Sequence, residues 1–211
     1  MKKFCAYLII SIPFIFIYGN VALSLFIGNM KPSFSMQSLL FYFLIMFIPS
    51  LLFVFLLHND FNKLYFKREN AFISVLVGFA LSMLFIFISN LILFLIGYKE
   101  KNPVVEDIKE NMNLAILILI PLLSSIGEET FFRGVIQNEI EKRIGSFASI
   151  LITSILFAMA HLPYKTILQV IMPFSLSILL CILMNRLKNL FAPISTHFFY
   201  NFINLLVLYL Q

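Results

Sequence analysis

The sequence predicts an all-α fold, that of a polytopic helical membrane protein with about seven transmembrane helices. Of its 211 residues, 61% are hydrophobic and only 12% are charged. The mean hydropathy of the chain is +0.99. This composition excludes an ordinary soluble domain. Because a membrane span must satisfy its own backbone hydrogen bonds, long apolar runs of this kind indicate helices.

The predicted spans follow from the uncharged runs of the sequence. A transmembrane helix needs roughly 20 mostly apolar residues, and the fourth and fifth runs fall short of that length. We expect the fourth run to continue as a long helix to about Glu141. The seven runs are Phe4–Ile27, Met36–Leu57, Ala71–Tyr98, Met112–Gly127, Gly145–Ala160, Thr166–Asn185 and Asn189–Gln211.

The N-terminal run and the two cysteines each allow a simple interpretation. Two lysines precede the first apolar run, which is long and lacks a small-x-small cleavage site, so we favour an uncleaved first span over a removed signal peptide. Cys5 and Cys181 both lie inside apolar runs. Neither a disulfide framework nor a thiolate metal site is indicated.

The chain has a positive net charge of +5, but its basic residues are scattered over short loops. The charge is therefore explained by membrane topology and contact with membrane lipid, and no nucleic-acid partner is predicted. The distribution of Lys and Arg favours a cell-membrane protein with a cytoplasmic N-terminus. Nine basic residues then lie on the inner side: Lys2, Lys3, Lys63, Lys67, Arg68, Lys142, Arg143, Arg186 and Lys188. Five lie on the outer side: Lys31, Lys99, Lys101, Lys109 and Lys165.

The chain reads as one membrane domain with two parts, N-terminal helices and a loop in residues 1–111 and a second group of helices in residues 112–211. The longest polar stretch, Lys99–Asn113, predicts a loop or a short surface helix. Polar groups within apolar runs are concentrated in the second part. A transporter built from two matching halves would carry them in both, which makes that class the least favoured.

The first polar cluster is the stretch GEETFFRG, which follows an uncharged run. A charged side chain at bilayer mid-depth costs about 2.5 to 3.5 kcal/mol on insertion scales, so such residues suggest a function. Glu129 and Arg133 are four residues apart and can pair on a helix. Glu128 lies about 100 degrees round the helix and has no such partner. A carboxylate of this kind can serve as a general base or acid.

Two further clusters follow in the sequence. Phe157 and His161 share a helix face, and Pro163 is expected to end or kink that helix. His197 and Asn201 again lie four residues apart on one face. Together the three clusters supply a carboxylate, two imidazoles and an amide. Such groups can activate a water molecule and stabilise an oxyanion.

Each cluster also has a structural interpretation. A Glu and Arg pair near a helix end can be an interface anchor, and a membrane histidine can be a hydrogen-bonded packing residue. Asn201 can join two helices by a hydrogen bond. His58, next to Asn59 and Asp60 at the end of a span, is interpreted as interfacial.

The order of the clusters resembles the CAAX-protease and bacteriocin-processing family of intramembrane proteases, which includes the lysostaphin-resistance-like proteins. The family pattern is Glu-Glu-x-x-x-Arg, then Phe-x-x-x-His, then His-x-x-x-Asn. The resemblance extends roughly over Leu114–Leu206, and the matching residues are Glu128, Glu129, Arg133, Phe157, His161, His197 and Asn201. Ser175 and Ser177 depart from it, because glycines are common there in the family. The departure affects how closely the helix with these two serines can pack against its neighbours.

The resemblance implies an endopeptidase with an intramembrane active site that acts on a membrane-associated peptide, such as a prenylated C-terminus or a leader peptide. Glu128 would activate a water that His161 helps to hold, and His197 and Asn201 would stabilise the oxyanion. The supporting residues would be Glu129, Arg133 and Phe157.

Two questions stay open at the level of sequence. Glu128, His161 and His197 would be a legitimate zinc set, but the chain has no His-Glu-x-x-His motif, and a metal-free mechanism without any cofactor is favoured. The second question is whether the protein turns over a substrate. The alternative is a non-catalytic bacteriocin-immunity or regulatory protein that binds a peptide or partner.

Overall fold

The computed structural model describes residues 1–27, 35–98, 108–109, 112–164 and 166–210. Within these ranges every regular element is helical, and seven helices are long and apolar enough to span a membrane, which confirms the predicted fold class. The predicted loop Lys99–Asn113 and the boundary at residue 111 lie largely outside these ranges. The α-helices are α1 Lys2–Ile27, α2 Met36–His58, α3 Ala71–Leu95, α4 Leu114–Phe131, α5 Asn138–Ile144, α6 Ser146–Met159, α7 Leu168–Leu187 and α8 Phe191–Tyr209.

The fourth span is one continuous helix of 31 residues, Leu114–Ile144. It consists of α4, a π-helical segment at Phe132–Gln137 and α5. The side chain of Asn138 donates to the carbonyls of Arg133 and Gly134, both at 2.9 Å, and so satisfies backbone oxygens of the π-helical segment. The predicted continuation of this helix to about Glu141 is confirmed, and it puts the two adjacent glutamates at mid-span.

Local sequence signals explain several helix ends. The side chain of Asn113 accepts a hydrogen bond from the backbone of Ile116 at 3.0 Å and caps the start of α4. Helix α2 ends at Asn59, whose φ of 51° is in the left-handed region that Asn tolerates. The predicted break near Pro163 is confirmed, since α6 ends at Met159 and a 3-10 turn follows at Leu162–Tyr164.

Helices α3 and α8 approach each other so closely that their backbones are in contact. Ser74, Gly78 and Ser82 are buried at spacings of four along α3. A Cβ added to Gly78 would lie 2.7 Å from the carbonyl oxygen of Ala192 and 2.9 Å from the backbone nitrogen of Thr196. We call these five residues the small-residue seam. It fixes the position of α8, which carries the third polar cluster.

The segment after α2 also holds the start of α8. The backbone of Leu190 donates to the carbonyl of Tyr65 at 2.9 Å. The side chain of Asn189 donates to the carbonyls of Lys67 and Glu69, both at 3.1 Å. Leu64 is fully buried. Helix α3 and the segment between α2 and α3 therefore help to position α8.

Candidate active site

The predicted ion pair between Glu129 and Arg133 is present. An Nη1 of Arg133 lies 2.9 Å from Oε1 of Glu129, and both side chains are fully buried. The two residues are one turn apart on the fourth span. Removing both charges from water is costly, so the pair depends on further hydrogen bonds to be tolerated.

The same carboxylate also binds the third cluster, a contact that the sequence did not predict. Nδ1 of His197 lies 2.7 Å from Oε1 of Glu129, and the two residues are 68 positions apart in the chain. His197 is buried on α8. Because a carboxylate oxygen accepts, Nδ1 of His197 carries the proton and donates it to Glu129. Glu129 therefore fixes the ring of His197 as well as the guanidinium of Arg133.

Arg133 is held by α7 and by an aromatic ring. Its Nη2 donates to Oγ of Ser177 at 2.6 Å and approaches the carbonyl of the same residue at 3.4 Å. Its guanidinium carbon lies 4.6 Å from the ring centroid of Phe157. The departure at Ser177 thus has a structural explanation, since its hydroxyl binds the buried guanidinium. Ser175 is only half-buried.

Phe157 connects the second cluster to the other two. Its ring centroid lies 5.0 Å from that of His161 and 5.8 Å from that of His197. The ring is 1% exposed. Two imidazoles and one guanidinium therefore meet around a single buried aromatic side chain, and the structure brings all three sequence clusters together.

The ring of His161 has a defined orientation. Its Nδ1 lies 2.8 Å from the carbonyl oxygen of Phe157. A carbonyl can only accept, so Nδ1 must be the protonated nitrogen of His161. In the neutral ring, Nε2 then carries a lone pair and can accept a hydrogen bond.

Glu128 is the site carboxylate without an ion-pair partner among the described residues. Its side chain is 6% exposed. The buried Oε2 has no hydrogen-bond partner within the described part of the chain. His197, Tyr42 of α2 and Tyr164 of the 3-10 turn lie near enough to this carboxylate to be influenced by its charge. A buried carboxylate oxygen without a partner is expensive unless it has a function or binds water.

Asn201 reaches the fourth span through Ser124. Its Nδ2 donates to Oγ of Ser124 at 3.4 Å. Ser124 lies four residues before Glu128, on the same face of α4. Asn201 therefore lies beside the helix face that presents Glu128, and it makes no recorded hydrogen bond to His197 in the described structure.

His58 lies apart from this site. It is at the exposed end of α2 and lines a separate cavity of about 150 Å³ together with Lys63, Glu139 and Lys142. Lys142 and Glu139 form an ion pair at 2.6 Å. The position of His58 agrees with its interpretation as an interfacial residue.

The structure bears on the zinc alternative only through the spacing of its side chains. Across the described ranges no three His, Cys, Asp or Glu side chains form a group that could hold a metal ion. Glu128, His161 and His197 are all described and do not form such a group. The Nδ1 atoms of both histidines are engaged by Phe157 and Glu129, and because a metal-binding histidine commonly donates its other ring N–H in this way, these contacts do not decide between the two mechanisms.

A row of buried polar side chains between the fourth span and α7 was missed by the sequence reasoning. The side chain of Gln137 donates to the carbonyl of Cys181 at 2.9 Å and to Oδ1 of Asn185 at 2.8 Å. We call Arg133, Gln137, Ser177, Cys181 and Asn185 the polar seam. A signal was available, because these residues recur every four positions on both helices. Both Cys181 and Cys5 are free thiols, as predicted.

Comparison with known protein families supports the predicted resemblance. A family model described as type II CAAX prenyl endopeptidase Rce1-like matches residues 110–203, which include all three polar clusters. Neither the comparison with curated proteins nor that with solved structures gave a match. The protein is a multi-pass membrane protein by its seven apolar helices. The family model covers less than half of the chain, so the similarity to type II CAAX prenyl endopeptidase Rce1-like proteins is limited to residues 110–203.

Proposed function

We propose that the protein is an intramembrane endopeptidase of the CAAX-processing type, which hydrolyses a peptide bond of a membrane-associated peptide or protein. The observation that carries this proposal is the 2.7 Å contact between Glu129 and His197. It joins the first and third clusters, while Phe157 joins the second to both. A purely interfacial ion pair would not require two histidines from other helices around it.

Glu128 is the proposed general base. Its buried Oε2 has no partner in the described structure and can accept a proton from a water molecule. The lone pair on Nε2 of His161 can accept the second hydrogen of that water, so the two residues would hold it between them. The oxygen lone pair of the water is then free to attack the carbonyl carbon of the substrate. Positioned proton acceptors of this kind contribute about 10²- to 10⁴-fold to a rate.

His197 and Asn201 are the proposed oxyanion donors. Nδ1 of His197 donates to Glu129, so Nε2 can donate to an oxyanion only when the ring is protonated. A protonated His197 would balance the charges of the site. The two glutamates would then face one guanidinium and one imidazolium. Asn201 has two N–H groups, and Ser124 engages one of them. The other is available to the substrate oxygen.

The carboxyl group of Glu128 also acts in the last step of the proposed reaction. The proton that Glu128 takes from water can pass to the nitrogen of the leaving amine as the tetrahedral intermediate collapses. The products are a new carboxylate and a free amine. Each step uses side chains of this chain and water, and none requires a cofactor.

The proposed substrates are prenylated C-termini or leader peptides at the membrane. A polar site between lipid-facing helices suits a peptide that the membrane already concentrates. We further propose that the protein lies in the cell membrane with its N-terminus in the cytoplasm, on the basis of nine inner against five outer basic residues.

The test is cleavage of internally quenched peptides by the purified protein in detergent, using one set with a prenylated C-terminal cysteine and one without. His161→Ala and His197→Ala should each lose activity, while a chelator should leave the parent protein active. If both variants keep the full biological effect of the protein, catalysis is not its function. Activity that a chelator abolishes and zinc alone restores would overturn the metal-free mechanism.

A further inference from the structure

Ser177 ends a chain of short contacts that leads to His197. Its Oγ accepts from Nη2 of Arg133 at 2.6 Å, Nη1 of Arg133 donates to Glu129 at 2.9 Å, and Glu129 accepts from His197 at 2.7 Å. The side chains of Arg133 and Glu129 are fully buried, and Ser177 is fully buried on α7. The chain of contacts thus crosses three helices without reaching solvent.

We propose that Ser177 is a positioning residue for His197, which acts through Arg133 and Glu129 and sets the orientation in which Nε2 of His197 meets the substrate. This inference rests on the proposed function, in which His197 is an oxyanion donor. Ser177 itself does not touch the substrate. Its role is to hold the guanidinium that holds the carboxylate.

The geometry of the guanidinium supports this role. Arg133 presents its donors as a rigid planar fork, so an acceptor on Nη2 also fixes the direction of Nη1. Nε of Arg133 and Oε2 of Glu129 have no partner in the described part of the chain. The orientation of this buried pair therefore depends on few contacts. Without the hydroxyl of Ser177, Nη2 keeps only the longer approach to the carbonyl at 3.4 Å.

The hydroxyl of Ser177 differs from those of Ser50 and Ser125, two other buried serines in the bundle. Ser50 donates to the carbonyl of Met46 at 2.6 Å, and Ser125 donates to that of Leu122 at 3.2 Å. Such bonds within one helix are the usual solution for a serine in a membrane span. Ser177 instead accepts from another helix, which indicates a specific partner and not merely a small residue in a tight space.

The experiment compares Ser177→Ala with Ser175→Ala, a matched control two residues earlier on α7 that lies outside the chain of contacts. The chain contains only three histidines, so ¹⁵N-labelled histidine gives three resolvable ring systems in detergent NMR. We expect Ser177→Ala to shift or broaden the Nδ1–H signal of His197 and to leave that of His58 unchanged. Ser175→Ala should change neither.

Kinetics give the second readout, with a peptide that the parent protein cleaves. Losing a hydrogen bond that only orients an oxyanion donor should lower kcat about 10-fold and leave KM unchanged. A merely structural role would lower the melting temperature and the amount of active enzyme without shifting the His197 signal. If the parent protein cleaves no peptide, the proposed function fails, while the NMR comparison still tests the contact chain.

Ser177→Cys covers the case in which Ser177→Ala fails to fold. It keeps the side-chain size and weakens only the acceptor. A folded Ser177→Cys protein whose His197 signal and kcat equal those of the parent overturns the inference. A shifted His197 signal together with a lower kcat supports it.

Discussion

The polar seam and the small-residue seam fix site helices in opposite ways. In the polar seam, the buried side chains of Arg133 and Gln137 on the fourth span donate to side chains and a backbone carbonyl of α7, at distances of 2.6 to 2.9 Å. In the small-residue seam, α3 and α8 are joined by close backbone approach at Gly78. The polar seam depends on the presence of hydrogen-bond partners, and the small-residue seam depends on the absence of a side chain at Gly78.

The two seams should therefore respond differently to substitutions. A buried polar group that loses its partner keeps its desolvation cost, so damage to the polar seam should be specific to the site and largest where a buried charge loses its partner. An added methyl group in the small-residue seam pushes two helices apart, so its damage should spread along the whole interface. Four substitutions test this comparison.

The largest effect is expected at the carboxylate that the polar seam supports. Glu129→Gln removes the negative charge that both Arg133 and His197 bind. Breaking one side of a buried pair costs about 3 to 5 kcal/mol, so the free energy of unfolding should fall by a similar amount. Unfolding in detergent, followed by circular dichroism, measures it. Glu128→Gln is the matched comparison for stability and should unfold like the parent. Equal losses in both variants would contradict the separate roles of the two glutamates.

A smaller loss is expected in the small-residue seam. Gly78→Ala puts a methyl group against the backbone of α8, and overpacking of this kind costs about 1 to 3 kcal/mol. Gly19→Ala on α1 is the control, because nothing lies within 4 Å of its added Cβ. The same unfolding measurement should show a loss only for Gly78→Ala. If the two variants are equally stable, α3 and α8 are not in backbone contact.

A substitution at the other end of the polar seam should cost less. Gln137→Leu removes the side-chain hydrogen bonds to the carbonyl of Cys181 and to Oδ1 of Asn185, with an expected loss of about 1 kcal/mol. Asn20→Leu is the control, because the Asn20 amide bonds only to Phe16 of its own helix at 2.6 Å. Thermal shift in detergent can compare the two. A control that is destabilised as strongly as Gln137→Leu would argue against a specific seam.

The smallest effect is expected at the exposed end of the bundle. Lys142 pairs with Glu139, but its side chain is 52% exposed. Pairs of this kind contribute about 0 to 1 kcal/mol. Lys142→Ala should therefore change the unfolding free energy by less than any of the preceding substitutions, in the same assay. A larger change would mean that this exposed ion pair stabilises the fold more than the buried contacts do.

Much of the fold and part of the site could be predicted from the sequence. Apolar runs predict spans because hydropathy acts locally, and the extended fourth span was also expected. The pairing of Glu129 with Arg133 follows from their spacing on one helix. The contact between Glu129 and His197 could not be predicted in this way, because it depends on how two helices 68 residues apart pack together.

The small-residue seam was missed for a different physical reason. Gly78 contributes by having no side chain, and a sequence search for ionisable groups in apolar runs does not detect it. The π-helical segment at Phe132–Gln137 was missed as well, because its hydrogen bonds depend on the side chain of Asn138. Both features position residues of the three clusters that the sequence predicts to act together.

The central claim is that Glu128 is free for chemistry while Glu129 holds the site together. The most direct test is cleavage of a quenched peptide by purified Glu128→Gln protein, with its melting temperature measured in the same sample. The account predicts a parent-like melting temperature and a rate at least ~100-fold lower, the smallest loss typical of a missing general base. A folded Glu128→Gln protein that cleaves the peptide at the parent's rate would contradict it.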